Sequence, residues 1–455
     1  MHLTIEQIAL ATSSYGDFDG LEKVPITKVQ TDSRLVQEGD LFVCIAGQRY
    51  DGHNFAQEAV KKGARAILAH TPLLDIEEVP VLLVEDTVKA LGRLALYVRQ
   101  RTRARVIGIT GSAGKTTTKE FLFSVLSQKA KVGKNYKNWN NQLGLPLSIL
   151  KFDGQEDYWV LELGISEPED MDELGSILRP DIVVITNIGP CHLEGLGSVS
   201  DVARYKTKIL DYLENESWAV LNKDYPPLVK EARRRTQIKP YFFSCTDKRQ
   251  RFWGEYRGCE GGRGHYEIGI NGENYSLALP WIGAHLTENI SAVAVLAHLL
   301  GYSGSEIEQG LCQARLPEQR LCLWTKGEWT IIDDTYNANP LSMRAAISTA
   351  AELAKDRELV LVLGDMAELG EASEEEHRKL GEFIHRIGCH YVFFHGQNAS
   401  FVKEGLKGWS GEFYICHSPE DFFSFFKNLN LRQAVLLFKG SRSSRMEEYV
   451  KKVKN

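Results

Sequence analysis

Short apolar runs, bounded by polar or turn residues, recur along the chain with amphipathic stretches between them. Val106–Ile109, Trp159–Leu163, Ile182–Ile188 and Trp218–Leu221 are apolar at nearly every position rather than at alternate ones. That is the pattern of parallel strands covered on both faces. Thr117–Leu126 and Asn289–Leu300 read as helices, so the middle of the chain predicts βαβ units around a parallel sheet. Before it, Gly39–Gly47, Ala64–Ala69 and Val79–Val84 read as strands, and Phe55–Lys62 and Thr87–Arg101 as helices. After it, Thr330–Ile332, Leu359–Leu363, Tyr391–Phe394 and Ala434–Phe438 read as buried strands between helices. Residues 246–275, rich in Gly, Arg and charge, read as a hairpin or loop excursion. The pattern predicts an α/β protein of three domains: a small α/β domain over 1–103, a central parallel-sheet domain over 104–316, and a Rossmann-like α/β domain over 317–455.

Composition narrows the class. A chain of 455 residues with 43% hydrophobic and 25% charged residues is globular. Its net charge of −6 gives no sign of a nucleic-acid-binding face. No apolar run approaches the ~20 residues of a membrane helix, and the start carries no secretory pattern. Eight scattered cysteines form no Cys-x-x-Cys pair, which favours reduced thiols in a cytoplasmic protein over disulfides or zinc.

The chemistry begins at residues 106–118. A β-branched strand enters the turn Gly111-Ser112-Ala113-Gly114, followed by Lys115, Thr116, Thr117 and a helix. Such a turn aims backbone N–H groups and a helix N-terminus at phosphate oxygens. Lys115 is placed for the terminal phosphates and Thr116 for Mg²⁺, which implies ATP or another nucleoside triphosphate. The strict P-loop spacing fails, because Ile109 stands where glycine is usual and Gly108 lies one residue early. An ordinary strand–turn–helix with a surface lysine is the bland reading.

Glu162 ends an apolar strand, where a carboxylate can serve a hard cation, or can simply be solvated. His192 follows the strand at Ile182 and should share the rim of the loop, as a ligand or as a structural histidine. Lys206, on its residues alone, reads as a helix-surface lysine. In the third domain, Asp333–Asn339, Gly364–Gly370 and Lys439–Ser443 fall at the carboxyl ends of strands, where open α/β sheets bind ligands.

Taken together, these pieces resemble the Mur ligases, ATP-dependent amide-forming enzymes of peptidoglycan precursor synthesis. The matching segments are Thr110-Gly-Ser-Ala-Gly-Lys-Thr-Thr117, Asn138-Trp-Asn-Asn-Gln-Leu-Gly144, Glu162-Leu-Gly164, Thr186-Asn-Ile-Gly-Pro-Cys-His-Leu-Glu194, Lys206, Gly283-Ala-His285 with Asn289, Pro317-Glu-Gln-Arg320, Asp333-Asp-Thr-Tyr-Asn-Ala-Asn-Pro340, Gly364-Asp-Met-Ala-Glu-Leu-Gly370 and Lys439-Gly-Ser-Arg-Ser443. They run through the chain in family order. The resemblance implies a lysine carbamylated by CO₂ at Lys206, a Mg²⁺ site of Thr116, Glu162, His192 and that carbamate, an adenine contact at Asn289, a phosphate contact at Arg320 and a ribose contact at Asp334.

Within the family, the third-domain motifs resemble the branch that joins D-alanyl-D-alanine to UDP-N-acetylmuramoyl-tripeptide. That branch implies UDP-substrate contacts at Ser33 and Arg34, and dipeptide-side contacts at Asn337, Asn339, Lys439, Ser441 and Arg442. It also implies a cytoplasmic monomer that handles small molecules. The Asp-Asn-Pro-Arg signature of diaminopimelate-adding relatives is absent. A diaminopimelate- or lysine-adding ligase, a folylpolyglutamate-synthase-like ligase, and a P-loop module without ligase activity are the alternatives. The chain departs from the family pattern at Lys208, Cys191 and Gln319.

Overall fold

The computed structural model describes residues 3–214, 217–235 and 238–454. Three parallel-stranded sheets follow one another along the chain. The first has the order Val29–Gln30, Leu41–Val43, Ala66–Ala69 and Val81–Leu83, all parallel. The helix Thr87–Arg99 leaves it, capped by Asp86, whose carboxylate accepts from the N–H groups of Val88 and Lys89.

The central sheet runs Lys239–Phe243, Trp218–Asn222, Ile182–Ile185, Arg105–Thr110, Tyr158–Glu162, Val132–Lys134, with every neighbouring pair parallel. Chain order reverses around Arg105–Thr110, so the crevice at that strand's carboxyl end is the expected ligand position. The helices Lys115–Leu126 and Leu286–Leu299 cover one face. Leu286–Leu299 is apolar nearly all round because it is wedged between this sheet and a second, antiparallel one. That second sheet is Phe252–Glu260, Arg263–Ile270 and Glu273–Leu279; three regular strands stand where sequence suggested only a hairpin or loop.

The third sheet has the order Cys322–Lys326, Trp329–Asp333, Ala434–Lys439, Glu358–Gly364, Tyr391–His395, Glu412–Ile415, parallel except for its first edge strand. All eight cysteines are free thiols. Among the described residues no helix is long and apolar enough to cross a membrane.

One apolar core joins the first sheet to the central one. Leu41 and Leu68 of the first, Leu91 and Leu94 of the helix Thr87–Arg99, and Leu161 and Val183 of the central sheet belong to the same buried cluster. Arg99 locks the junction, donating to the carbonyls of Leu178 (2.8 Å) and Arg179 (2.7 Å) and pairing with Asp181 at 3.1 Å. The third sheet has cores of its own. Leu94→Ala is therefore expected to cost about 2–5 kcal/mol and to lower the unfolding midpoint of the first and central sheets together. Denaturant unfolding with a fluorophore in each would show one shared shift; an effect confined to one of them would contradict the shared core.

Candidate active site

The loop after Arg105–Thr110 is held by contacts that need small residues. Gly111 (φ 152°) and Gly114 (φ 75°) take positive φ. A Cβ on Gly111 would lie 2.0 Å from Thr186 Oγ1, and one on Gly114 would lie 2.3 Å from Asn289 Nδ2. The strand-end pair Thr186-Asn187 grips the loop: Thr186 Oγ1 donates to the carbonyl of Ala113 (2.8 Å), and Asn187 Oδ1 accepts from the Ala113 N–H (2.8 Å). Asn289 Nδ2 donates to the carbonyl of Gly114 (3.0 Å) and to Thr118 Oγ1 (2.8 Å). Lys115 Nζ folds back onto the carbonyl of Gly111 at 2.9 Å. Thr116 and Thr117 begin the helix Lys115–Leu126, whose first N–H groups have no intrahelical partner and face the cleft.

Glu162 ends the neighbouring strand and is 2% exposed, so its charge needs partners. Oε2 accepts from Thr116 Oγ1 (2.8 Å) and Oε1 from Asn140 Nδ2 (2.7 Å). The solvated reading of Glu162 is therefore wrong. Asn135 exchanges two hydrogen bonds with the Glu162 backbone, at 3.1 and 3.0 Å. Lys119, wholly buried, approaches Glu162 Oε2 at 3.8 Å and Glu120 at 3.4 Å, and donates to the carbonyls of Asn135 (3.3 Å) and Lys137 (3.1 Å). A single buried ammonium thus ties the helix behind the phosphate loop to the segment that carries Asn140.

His192 faces the same cleft, and its Nδ1 lies 2.5 Å from Glu368 of the third sheet's loops. The imidazole beside it holds the Glu368 carboxyl below its ordinary range. Lys206 is the largest departure from reading residues singly: it is fully buried, not on a helix surface, and its Nζ has no hydrogen-bond partner. Burial, reinforced by the charge of Lys115, pushes its amine down to about 8, against the opposing influence of Cys191 and Asp170. It lies behind the cleft wall rather than lining it.

The cleft has a volume of about 760 Å³ and its far wall is the third domain. Asn339 caps the helix Pro340–Ala354 and donates through Nδ2 to the carbonyl of Ser112 at 3.0 Å, reaching the phosphate loop. Asp334 pairs with the buried Lys439 at 2.6 Å and accepts from the Leu321 N–H at 3.1 Å. Lys439 also donates to the carbonyl of Asn337 at 2.9 Å. Arg320 stacks on Tyr336 with its guanidinium carbon 4.0 Å from the ring centre, between Gln319 and Leu321, both at positive φ.

Ser33, Arg34, Ser441 and Arg442 do not line this cleft, although the Arg442 N–H donates to Asn337, which does, at 3.3 Å. Ser441 is buried in a hydroxyl cluster with Ser443 and Ser444, and Arg442 pairs with Glu447 at 3.2 Å on the surface. In the first domain, Ser33 donates to Glu58 (3.0 Å) and exposed Arg34 folds onto Asp32 (2.6 Å). A groove of about 740 Å³ on the three-stranded sheet, lined by Cys259, His265 and Glu308 among others, shares no residue with the cleft.

Sequence reasoning assigned no role to Lys119, Asn135, Asn140, His285 or the pair Tyr225–Glu288. Tyr225 donates to Glu288 at 2.6 Å, and Asn187 Nδ2 donates to the same carboxylate at 2.9 Å. Burial raises the Glu288 carboxyl above its usual range. His285 lines the cleft, and burial pushes its imidazole down to about 4, so it is neutral at pH 7. The available signal was a lysine and a glutamate, Lys119-Glu120, directly before the apolar run Phe121-Leu122-Phe123 of a helix the sequence places against the sheet. Lys119→Met removes a buried cation facing two carboxylates and is expected to cost about 3–5 kcal/mol. Lys134→Met, which removes the partly exposed partner of Glu120, is expected to cost less. Urea unfolding of both variants checks the order.

Comparison with known proteins agrees with this geometry. Residues 25–99 match the Mur ligase family catalytic domain, 109–297 the Mur ligase middle domain, and 319–442 the Mur ligase glutamate ligase domain. The UDP-N-acetylmuramoyl-tripeptide–D-alanyl-D-alanine ligase of Bacillus subtilis (strain 168) is 34% identical, with 94% of this chain and 93% of that protein covered. The Escherichia coli (strain K12) protein of that name is 33% identical, with 96% and 95% covered. A crystal structure of MurF from Acinetobacter baumannii superposes with a TM-score of 0.92 at 31% identity, covering 100% of this chain and 99% of that one. MurF ligase from Thermotoga maritima in complex with ADP gives 0.84 at 30%, covering 93% and 96%. With family domains matched across all three sheets, a phosphate loop backed by a buried carboxylate, and relatives alike over nearly their whole length, the chain belongs to the Mur ligase family.

Proposed function

We propose that this chain joins D-alanyl-D-alanine to the terminal carboxylate of UDP-N-acetylmuramoyl-tripeptide in the cytoplasm, as a monomer, using ATP. The observation that carries the ligase reading is Lys206: a buried amine with no partner, next to a phosphate-binding loop. A nucleotide switch has no need of such a group. Burying an unpaired ammonium is unfavourable, whereas a carbamate on the same nitrogen is an anionic oxygen donor. Neutral Nζ attacks the carbon of CO₂, an N–C bond forms, and the displaced proton leaves to solvent.

The donor set fits a hard divalent cation. Thr116 and Glu162 bring oxygens to one point, His192 faces the same cleft, and Lys206 waits behind it without a partner. Mg²⁺ bound there would screen the negative charges that meet when a carboxylate approaches a triphosphate. Thr116, Glu162, His192 and carbamylated Lys206 would hold it. Lys115 and the first N–H groups of the helix Lys115–Leu126 orient the phosphates.

The substrate carboxylate oxygen attacks the γ-phosphorus, the bond to the bridging oxygen breaks, and ADP leaves. The dipeptide amine then attacks the acyl carbon. The C–O bond to phosphate breaks, and the amine proton leaves with phosphate or to solvent. Asn337, Asn339 and Lys439 stand on the opposite wall, where the dipeptide would enter, while Asn289, Arg320 and Asp334 line the cleft where the nucleotide would lie. The first domain, with Ser33 and Arg34, is left for the uridine nucleotide. Asn339, already bonded to Ser112, links dipeptide side and phosphate loop. Packing of the third domain over the loop excludes water from the acyl-phosphate.

Phosphate release is expected only when ATP, the UDP-linked tripeptide and D-alanyl-D-alanine are all present; turnover indifferent to the last two would overturn the assignment. Lys206→Ala is expected to abolish ligation, with partial recovery in short-chain carboxylic acids. The carbamate also has a pH signature. The folded amine titrates near 8, against about 10.4 for a free lysine. The neutral, CO₂-reactive form therefore grows as pH rises through 8, and between the two values the unfolded chain binds the extra proton, so folding stability rises with pH. A ¹³C carbamate signal from labelled bicarbonate should strengthen from pH 7 to about 9 and be absent in Lys206→Ala.

A further inference from the structure

The segment after the strand Glu358–Gly364 crosses from the third domain to the central one. Glu368 Oε2 lies 2.5 Å from His192 Nδ1, and the Glu368 carbonyl accepts from the Glu194 N–H at 3.2 Å. A Cβ on Gly370 would sit 3.2 Å from Glu194 Cα. Leu193, between the two polar contacts, packs on the cores of both domains. His192 (φ 51°) and Glu368 (φ 61°) both hold the left-handed backbone region. Residues with a side chain stay there only where their surroundings hold them. One contact thus has a constrained backbone on both sides, contributed by two domains.

The ring's orientation follows from its burial. Nδ1 is sealed from solvent, with the Glu368 carboxylate beside it though off line for a hydrogen bond. The side chain as a whole remains 23% exposed and lines the cleft. The edge turned to the cleft is therefore the one that bears Nε2. Histidines that bind a metal through one nitrogen commonly set the other against a carboxylate, which fixes tautomer and ring direction.

We infer that Glu368 is a positioning residue for His192: the third domain supplies the carboxylate that turns Nε2 toward the metal, so the cation site is complete only while that domain is docked. This rests on the reading of His192 as a metal-site residue. By linkage, whatever docking contributes to metal affinity, the metal returns to docking. The arrangement would keep the cation site incomplete until the domain carrying the dipeptide side has closed.

The test uses the full chain with ADP and Mn²⁺ as the probe, reading free Mn²⁺ by electron paramagnetic resonance. Glu368→Ala is expected to weaken Mn²⁺ binding about tenfold or more, with its metal-free melting temperature close to the parent's. His192→Ala should weaken it as well, and the double variant should lose no more than His192→Ala alone. Glu368→Gln keeps the loop's shape and removes the charge; it carries the same test if Glu368→Ala does not fold, with an expected loss of about threefold or more. Mn²⁺ affinity of the Glu368 variants within about twofold of the parent, while His192→Ala weakens it, would overturn the inference and leave the metal-site reading standing. Unchanged affinity in His192→Ala would overturn both. Losses that add in the double variant would also overturn it, since Glu368 would then act elsewhere than through His192.

Discussion

A carboxylate almost sealed from water at the end of an apolar strand is the constraint around which this site is arranged. Glu162 cannot remain charged there without partners, and they come from two segments: Thr116 and, one turn further along the same helix, the Lys119 cation, with Asn140 from the following connection. Satisfying one side chain therefore locks the register between the phosphate loop, its helix and the 135–141 segment. On the proposed reading, the same group would exchange a hydroxyl contact for a cation, with Thr116 and Glu162 as oxygen donors beside the triphosphate. Structural need and proposed chemical use thus fall on one carboxylate.

The three domains are joined in two different ways. The first and central domains share a continuous apolar core and the Arg99 clamp, so the phosphate loop rides on a platform that includes the first sheet. The third domain meets that platform through separate contacts rather than a continuous core: Asn339 on Ser112, Glu368 on His192, Leu341 over Gly189, and Leu193, which packs on the cores of both. Contacts of that kind are made and broken at much lower cost than a shared core. The division suits a ligase whose activated intermediate must be shielded from water and then released. It also places two contacts with the third domain, Asn339 on Ser112 and Glu368 on His192, in the loop after Arg105–Thr110 and the segment beside it.

The strands that could be read from sequence were those covered on both faces. Trp159–Leu163, Ile182–Ile185 and Leu359–Leu363 show as apolar runs because no position along them meets water. The edge strands of the central and third sheets were silent. Val132–Lys134 is three residues long, Lys239–Phe243 carries Pro240, which an edge tolerates, and Cys322–Lys326 and Glu412–Ile415 are partly exposed. The sheet over 252–279 hid for a related reason: its strands bury only one face, and their Gly and Arg positions read as turns.

Sequence alone determined the phosphate loop and its helix, since the spacing of Gly111, Gly114, Lys115 and Thr116 is local and each residue's task is set by its neighbours. Motifs in family order also pointed to Lys115, Thr116, Glu162, His192 and Asn339, which line one cleft. Tertiary structure decided what those side chains experience. Lys206 looks like any helix lysine until the fold removes its water and its partners; Lys119 gains meaning only between Glu120, Glu162 and two carbonyls; Glu368 meets His192 from 176 positions further along the chain. Burial and charge pairing are properties of the packed whole, where distant segments share a low-dielectric interior, and no local pattern encodes them.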